Sequence, residues 1–244
     1  MTQEPLHERT TAPSAREAAP CVGVVVAGAP LILDFSGTLF LESWSMLIVA
    51  DLHLEKGSAY ARRGMFLPPW DTAATLERLA NVVNRWRPKT VVALGDSFHD
   101  PLAGDRMALA DRDRLRSLQS GRAWIWVAGN HDPAPPAAIE GDRTDEIAIG
   151  GLRLRHQPRA GACPGEIAGH LHPAARIIAM GGSVRRKCFV SDGERCVMPA
   201  FGAYAGGLNL RDAAFDEIFD RAKTAHVLGR EGIYAVHERF CAPE

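Results

Sequence analysis

Met46-Leu47-Ile48-Val49-Ala50-Asp51-Leu52-His53 runs five apolar residues straight into an aspartate and, two places on, a histidine. An unbroken apolar run of this length fits a strand buried on both faces, as in a parallel sheet. The form recurs twice. Thr90 to Leu94 runs into Gly95-Asp96-Ser97-Phe98-His99-Asp100, and Ala123 to Ala128 runs into Gly129-Asn130-His131-Asp132. Helical signals separate the three runs. Glu55 to Arg63 predicts a short helix. From Asp71 onward, Leu76, Leu79, Val83 and Trp86 recur at helical spacing until Pro88. Met107 to Leu118 predicts a further helix, closed by Gly121. The order strand, helix, strand, helix, strand is a βαβαβ unit with a parallel sheet.

In open α/β sheets, ligands bind beyond the carboxyl ends of the strands. Asp51, His53, Asp96, His99, Asn130 and His131 all stand at such ends. One Asp or Asn there is an ordinary turn former. Repetition argues otherwise, because the second half adds more of the same. Glu146 to Ile149 and Leu152 to His156 flank Gly150-Gly151 as a hairpin that ends in His156. Gly169-His170-Leu171-His172 then places two histidines on alternate residues. On an extended strand they face the same side and reach one metal cluster, or one each of two adjacent metals. Carboxylate, amide oxygen and imidazole donors suit Mn, Fe or Zn better than Ca or Mg. The set contains no cysteine, which argues against a structural zinc site.

Outside these segments, Leu31 to Asp34 and Leu39 to Leu41 flank the turn residues Phe35 to Thr38 as a hairpin. Strands are predicted at Ile167 to Gly169, Arg176 to Ala179, Lys187 to Ser191, Arg195 to Met198 and Ile233 to His237, and a helix at Ala213 to Ala222. Residues 1–21 read as a disordered N-terminal tail, polar and rich in Pro and Ala, and residues 22–240 as a single domain. A net charge of -1 over 244 residues gives no global attraction to nucleic acid or anionic lipid, so any positive charge for a polyanion must be local or come from metal. The five cysteines are scattered and form no CxxC pair, which points to free thiols in a reducing cytoplasm. No apolar run has the roughly 18 residues that a spanning helix needs, so no membrane role is expected.

The ordered blocks D-x-H, G-D-x-x-[HD], G-N-H-[DE], H and G-H-x-H, from Asp51 to His172, resemble the calcineurin-like metallophosphoesterase superfamily. The resemblance implies an α/β fold, a four-layer α/β/β/α sandwich, with two divalent metal ions at one sheet edge. Manganese is the first expectation, and Fe, Zn or Ni fit the same donors. It also implies that Asp51, His53, Asp96 and His172 bind one ion, that Asp96, Asn130, His156 and His170 bind the other, and that His131 acts on the leaving oxygen. His99 stands where many phosphomonoesterases of the superfamily carry an Asp. Its GDxFH setting is that of nucleases related to the Mre-type DNA-repair subunit, which gives His99 a catalytic reading. Asp51 to Gly57, Arg63-Gly64, Leu67-Pro68, Asp71-Thr72, Gly95 to Asp100 and Met198 to Asn209 resemble more narrowly the ligase-associated DNA damage response endonucleases. That likeness implies a DNA substrate, a place in DNA repair, and a DNA ligase and a helicase as partners.

Lys56, Arg62 and Arg63 follow the first motif on the predicted helix and are candidates to hold a substrate phosphate; Asn209, in a Gly-rich stretch, is another. Two competing readings remain. One is a phosphohydrolase of nucleotide diesters or pyrophosphates, whose lipid-handling version would need an apolar lid not evident between Asp100 and Ala123. The other is a scaffold without catalysis, which the intact ligand set disfavours.

Overall fold

The computed structural model describes residues 20–133, 136, 139–179 and 181–244. The expected tail therefore lies, save for Pro20 and Cys21, outside the described residues. The elements in chain order are β1 (Cys21–Val26), β2 (Ala29–Asp34), β3 (Leu39–Leu41), β4 (Met46–Val49), α1 (Lys56–Ala61), α2 (Asp71–Trp86), β5 (Thr90–Leu94), α3 (Ala103–Arg106), α4 (Leu109–Gln119), β6 (Ala123–Val127), β7 (Asp142–Thr144), β8 (Glu146–Ile149), β9 (Leu152–Arg155), β10 (Glu166–Ala168), β11 (Pro173–Ala179), β12 (Gly182–Ser191), β13 (Cys196–Val197), β14 (Leu208–Asn209), α5 (Ala213–Asp216), β15 (Thr224–Leu228), β16 (Ile233–His237) and β17 (Cys241–Ala242).

Strands β1 to β7 form one sheet in chain order. A second sheet runs β14-β11-β12-β13-β10-β9-β8, with β15 and β16 joined to it through β12, and β17 through β11. The βαβαβ unit is present: β4, β5 and β6 pair in parallel, in registers such as Val49 to Ala93 and Ala93 to Trp126. Successive residues of these strands serve two cores, as the period of two requires. Leu47, Val49, Val91, Ala93, Trp124 and Trp126 pack against Leu76, Leu79 and Val83 of α2 and Leu115 and Leu118 of α4. Ile48, Ala50, Val92, Leu94 and Val127 face the other way and meet Leu154, Ile167, Phe189 and Met198 of the second sheet. That explains why β4 and β5 read as continuous apolar runs.

A third core covers the far face of the second sheet, where Cys188, Val190 and Val197 meet Leu210, Phe215, Ile218 and Phe219. The outer helical layer is thin there. The helix expected at 213–222 stops at Asp216 after one turn, because Gly161 N–H and the Arg195 guanidinium take the carbonyls of Glu217 and Ile218. The helix expected at 107–118 is also corrected. Met107 and Ala108 are extended in ψ and separate α3 from α4, with Met107 buried and its carbonyl bonded to Arg112. Strand β15 was not anticipated at all. No helix among the described residues is long and apolar enough to cross a membrane.

Candidate active site

All the strand-end motifs meet at one edge between the two sheets. Asp51 and His53 follow β4, Asp96 and His99 follow β5, Asn130 and His131 follow β6, His156 follows β9, and His170 and His172 link β10 to β11. The backbone there is unusual. Asp51, His53, Asp96, His170 and His172 all have positive φ, between 45° and 69°. A non-glycine residue held there costs on the order of 1–3 kcal/mol and persists only where the surroundings enforce it. Five such residues in one cluster mark a site kept for chemistry rather than for stability.

This geometry corrects the expectation for His170 and His172. Neither lies in an extended strand, since β10 ends at Ala168 and β11 begins at Pro173. Their left-handed kinks send the two rings to different neighbours. His170 Nδ1 lies 3.2 Å from His156 Nε2, whereas His172 Nε2 lies 3.2 Å from Asp51 Oδ1 and 3.3 Å from His53 Nε2.

Two groups of donors result: Asp51, His53 and His172, and Asp96, His156 and His170, each with ligand atoms within 4.8 Å of one another. Asp96 stands between them. Its Oδ1 is 3.3 Å from His156 Nε2, and its Oδ2 is 3.9 Å from His53 Nε2. Asn130 Oδ1 joins the second group, 2.9 Å from His156 Nε2. A further triple, His53, Asp96 and His131, also satisfies the spacing.

Glycine makes the close approach possible. A Cβ on Gly129 would sit 2.1 Å from the Asp96 nitrogen, and one on Gly95, at φ 74°, would sit 2.4 Å from His156 Cβ. Hence the site motifs read Gly-Asp and Gly-Asn.

The donor set fits divalent cations. Burial pushes His53 down to about 3 and lowers His170, so both rings are neutral and offer lone pairs. His53 Nδ1 is buried without a partner among the described residues. Burial opposes charge on His156 too, but its hydrogen bond to Asp96 and the charge of Asp51 raise it overall. Burial likewise works against ionisation of Asp96. The His156 ring and the His131 N–H outweigh it and hold the carboxyl well below its usual range. Ring nitrogens packed 3.2–3.3 Å apart beside the Asp51 and Asp96 carboxyl groups are the arrangement a cation stabilises.

His131 sits at the open rim. Its backbone N–H donates to Asp96 Oδ1 at 2.9 Å, and its ring Nδ1 donates to the His99 carbonyl at 3.0 Å. The His99 ring is buried and stacks on His131, with centroids 5.1 Å apart and planes at 22°. Its Nδ1 has no partner among the described residues, so the polar link to His131 runs through backbone.

Of the expected substrate contacts, Arg62 and Arg63 are exposed at the end of α1. Lys56 is engaged within the protein, its Nζ donating to the Tyr204 carbonyl at 3.1 Å. Asn209, in β14, pairs with Ala174 two residues after His172. It is buried, its amide donating to Ala242 O and accepting from Arg211 N.

Three further features shape the site. Asp132 is buried and accepts from the N–H groups of Ser97 and Phe98 at 2.9 and 3.0 Å, tying the loop after β6 to the loop after β5. Burial pushes its carboxyl up to about 7. Its place in Gly129-Asn130-His131-Asp132 was the only signal.

The second feature is a set of cations on the loop from Ala200 to Gly207. Lys187 donates to the carbonyls of Ala200 and Gly202, Arg78 to Phe201, Lys56 to Tyr204 and Arg185 to Gly207. The N–H of Gly202 in turn bonds to the carbonyl of Asp51, so this loop braces the first metal-site turn. The third feature is a cleft of about 370 Å³ that opens beside Asn130 and His156, lined also by Arg155 and Arg159.

Known proteins place this geometry. No curated protein matches the chain. Among solved structures, the Pseudomonas putida nuclease MPE is similar at 26% identity and a TM-score of 0.69, over 88% of this chain and 100% of that one. The E. coli phosphoesterase Yfce aligns at 14% identity and a TM-score of 0.39, over 77% and 95%. The family model for calcineurin-like phosphoesterases matches residues 45–194, the stretch that carries every motif from Asp51 to His172, and the chain belongs to that family.

Proposed function

We propose that this protein is a two-metal phosphodiesterase that cleaves nucleic-acid strands, with DNA as its substrate. The observation that carries the reading is the position of Asp96, whose two oxygens face two separate groups of imidazoles. One carboxylate so placed is suited to be shared by a pair of ions. Asp51, His53, Asp96 and His172 would hold the first, and Asp96, Asn130, His156 and His170 the second. Such a pair, when bound, supplies the charge that offsets build-up on phosphate oxygens and makes water nucleophilic at neutral pH. Manganese suits these mixed oxygen and imidazole donors, as do Fe, Zn and Ni.

The remaining steps belong to the chain itself. With Nδ1 committed to the His99 carbonyl, His131 presents Nε2 at the rim, 4.0 Å from Asp96 Oδ2. That nitrogen is placed to pass a proton to the leaving oxygen of the ester. The stacked His99 ring holds the His131 plane, and Asp132 fixes the two loops that carry Asp96 and Asn130. A nuclease as structural neighbour supports a polymeric diester. A role in DNA repair, beside a DNA ligase and a helicase, is carried by sequence resemblance alone, and a cytoplasmic location by the scattered cysteines.

The test is a manganese-supplemented assay of an aryl phosphodiester, an aryl phosphomonoester and labelled DNA as single strand, nicked duplex and intact duplex. Diester and DNA turnover should exceed monoester turnover, and Asp96→Asn should abolish all of it. Monoester hydrolysis with no diester cleaved contradicts the reading.

A further inference from the structure

The segment joining α1 to α2 carries the largest exposed aromatic side chains of the described residues. Phe66 is 86% exposed and Trp70 is 69% exposed, with Met65 at 47% beside them. Apolar side chains left in water together mark a binding surface. This surface is held firmly. The Tyr204 hydroxyl donates to the Pro68 carbonyl at 2.9 Å, Gly57 N–H donates to Asp71 at 3.0 Å, and the Thr72 hydroxyl donates to Glu55 at 3.0 Å. The end of the loop at Asp71 and Thr72 is thus tied to the turn that begins two residues after His53.

The loop also adjoins the rim of the site. Met65 N–H bonds to the carbonyl of Tyr60, whose ring lies 5.6 Å from that of His99. Arg62 and Arg63 are exposed on the same turn, and neither pairs with a carboxylate among the described residues. Exposed aromatic rings bordered by free guanidinium groups make a surface that is apolar and cationic at once. It matches a ligand that alternates flat apolar faces with anions, which is a nucleic-acid strand with unpaired bases.

We propose that Phe66 and Trp70 stack unpaired bases of the substrate strand while Arg62 and Arg63 take its phosphates, holding the strand against the His99 side of the metal centre. The assignment rests on the nuclease reading and gives it a substrate form. Base stacking tolerates any sequence, and bases locked in a duplex cannot reach the rings, so the site selects single-stranded or frayed DNA.

The experiment measures fluorescence anisotropy of two labelled oligomers of equal length on the full chain, chelated so that no cleavage occurs. One is oligothymidylate and the other carries abasic sites in place of its bases. Wild-type protein should bind the base-bearing strand on the order of tenfold more tightly than the abasic strand. Phe66→Ala/Trp70→Ala should lose that preference, and Arg62→Gln/Arg63→Gln should weaken both strands together while keeping it. Thermal melts confirm that each variant is folded. A wild-type protein with no preference, or a preference that survives removal of both rings, overturns the proposal. So does a wild-type dimer that Phe66→Ala/Trp70→Ala converts to monomer, since the rings would then face a second copy. Binding is read without catalysis. A protein that prefers bases but cleaves no diester would therefore sink the nuclease reading and leave the stacking result standing.

Discussion

His131 Nδ1 donates to the backbone carbonyl of His99 at 3.0 Å, while the two imidazoles stack 5.1 Å apart. The hydrogen bond fixes the His131 tautomer through an atom that no side-chain substitution removes. The two histidines should therefore separate kinetically. His131→Ala is expected to lower kcat on a diester with a poor leaving group by about 10²–10⁴-fold with metal content retained. On an aryl diester, whose leaving oxygen needs little protonation, the loss should be smaller. His99→Ala removes the stack and keeps the carbonyl, so its loss should stay within roughly tenfold. Steady-state kinetics on leaving groups of graded pKa checks both. Equal losses for the two variants would mean that the His99 stack, and not the backbone hydrogen bond, is what positions His131.

Gly129 gives a steric test. A methyl group there meets the Asp96 nitrogen at 2.1 Å, and the carboxylates of Asp96 and Asp132 lie almost as close. Gly129→Ala should displace the turn, costing about 1–3 kcal/mol and more than 100-fold in activity. Gly23→Ala, where no atom lies within 4 Å, is the matched control and should leave the melting temperature within a few degrees. Chemical denaturation and aryl-diester turnover of both variants read this.

His226, in β15, is a buried histidine far from the catalytic rings in sequence, and its Nδ1 lacks a partner among the described residues. Burial pushes it down to about 4 from an ordinary value of 6.5. With the folded value depressed, the unfolded chain binds the proton first. Stability is whole above pH 6.5 and falls as pH drops from there toward 4. At pH 5 this one group should account for about 2 kcal/mol of the loss. Urea titrations at pH 7.5 and 5 should show His226→Leu losing less stability than wild type by that margin. Parallel behaviour of the two proteins would show that the ring is solvated.

The two halves of the sequence were not equally legible. The runs ending in Asp51, Asp96 and Asn130 announced both the parallel sheet and the site, because a strand buried on both faces leaves polar residues only where it stops. The left-handed backbone at His170 and His172 was hidden, since nothing in Gly-His-Leu-His separates an extended strand from two kinks. Helical length also misled at Ala213 to Ala222, where Arg195, distant in sequence, claims the Ile218 carbonyl that a longer helix would use. The bond from the Asn209 amide to Ala242 in the last strand leaves no trace in the Gly-rich stretch that carries it. The exposed rings of Phe66 and Trp70 could not be known as exposed before the packing of α1 and α2 was seen. At His170, Ile218 and Asn209 the missing information was a contact between segments far apart in the chain.

The central claim is that Asp96 is shared by two ions. The most direct measurement is metal content, taken by mass spectrometry on protein saturated with manganese and passed through a desalting column, alongside the thermal midpoint. The account predicts about two ions per wild-type chain, about one after either His170→Ala or His172→Ala, and fewer than one after Asp96→Asn. Each loss should lower the midpoint, as release of a ligand bound only by the folded state must. A wild-type protein that saturates at one ion, or an Asp96→Asn variant that keeps two, would contradict it.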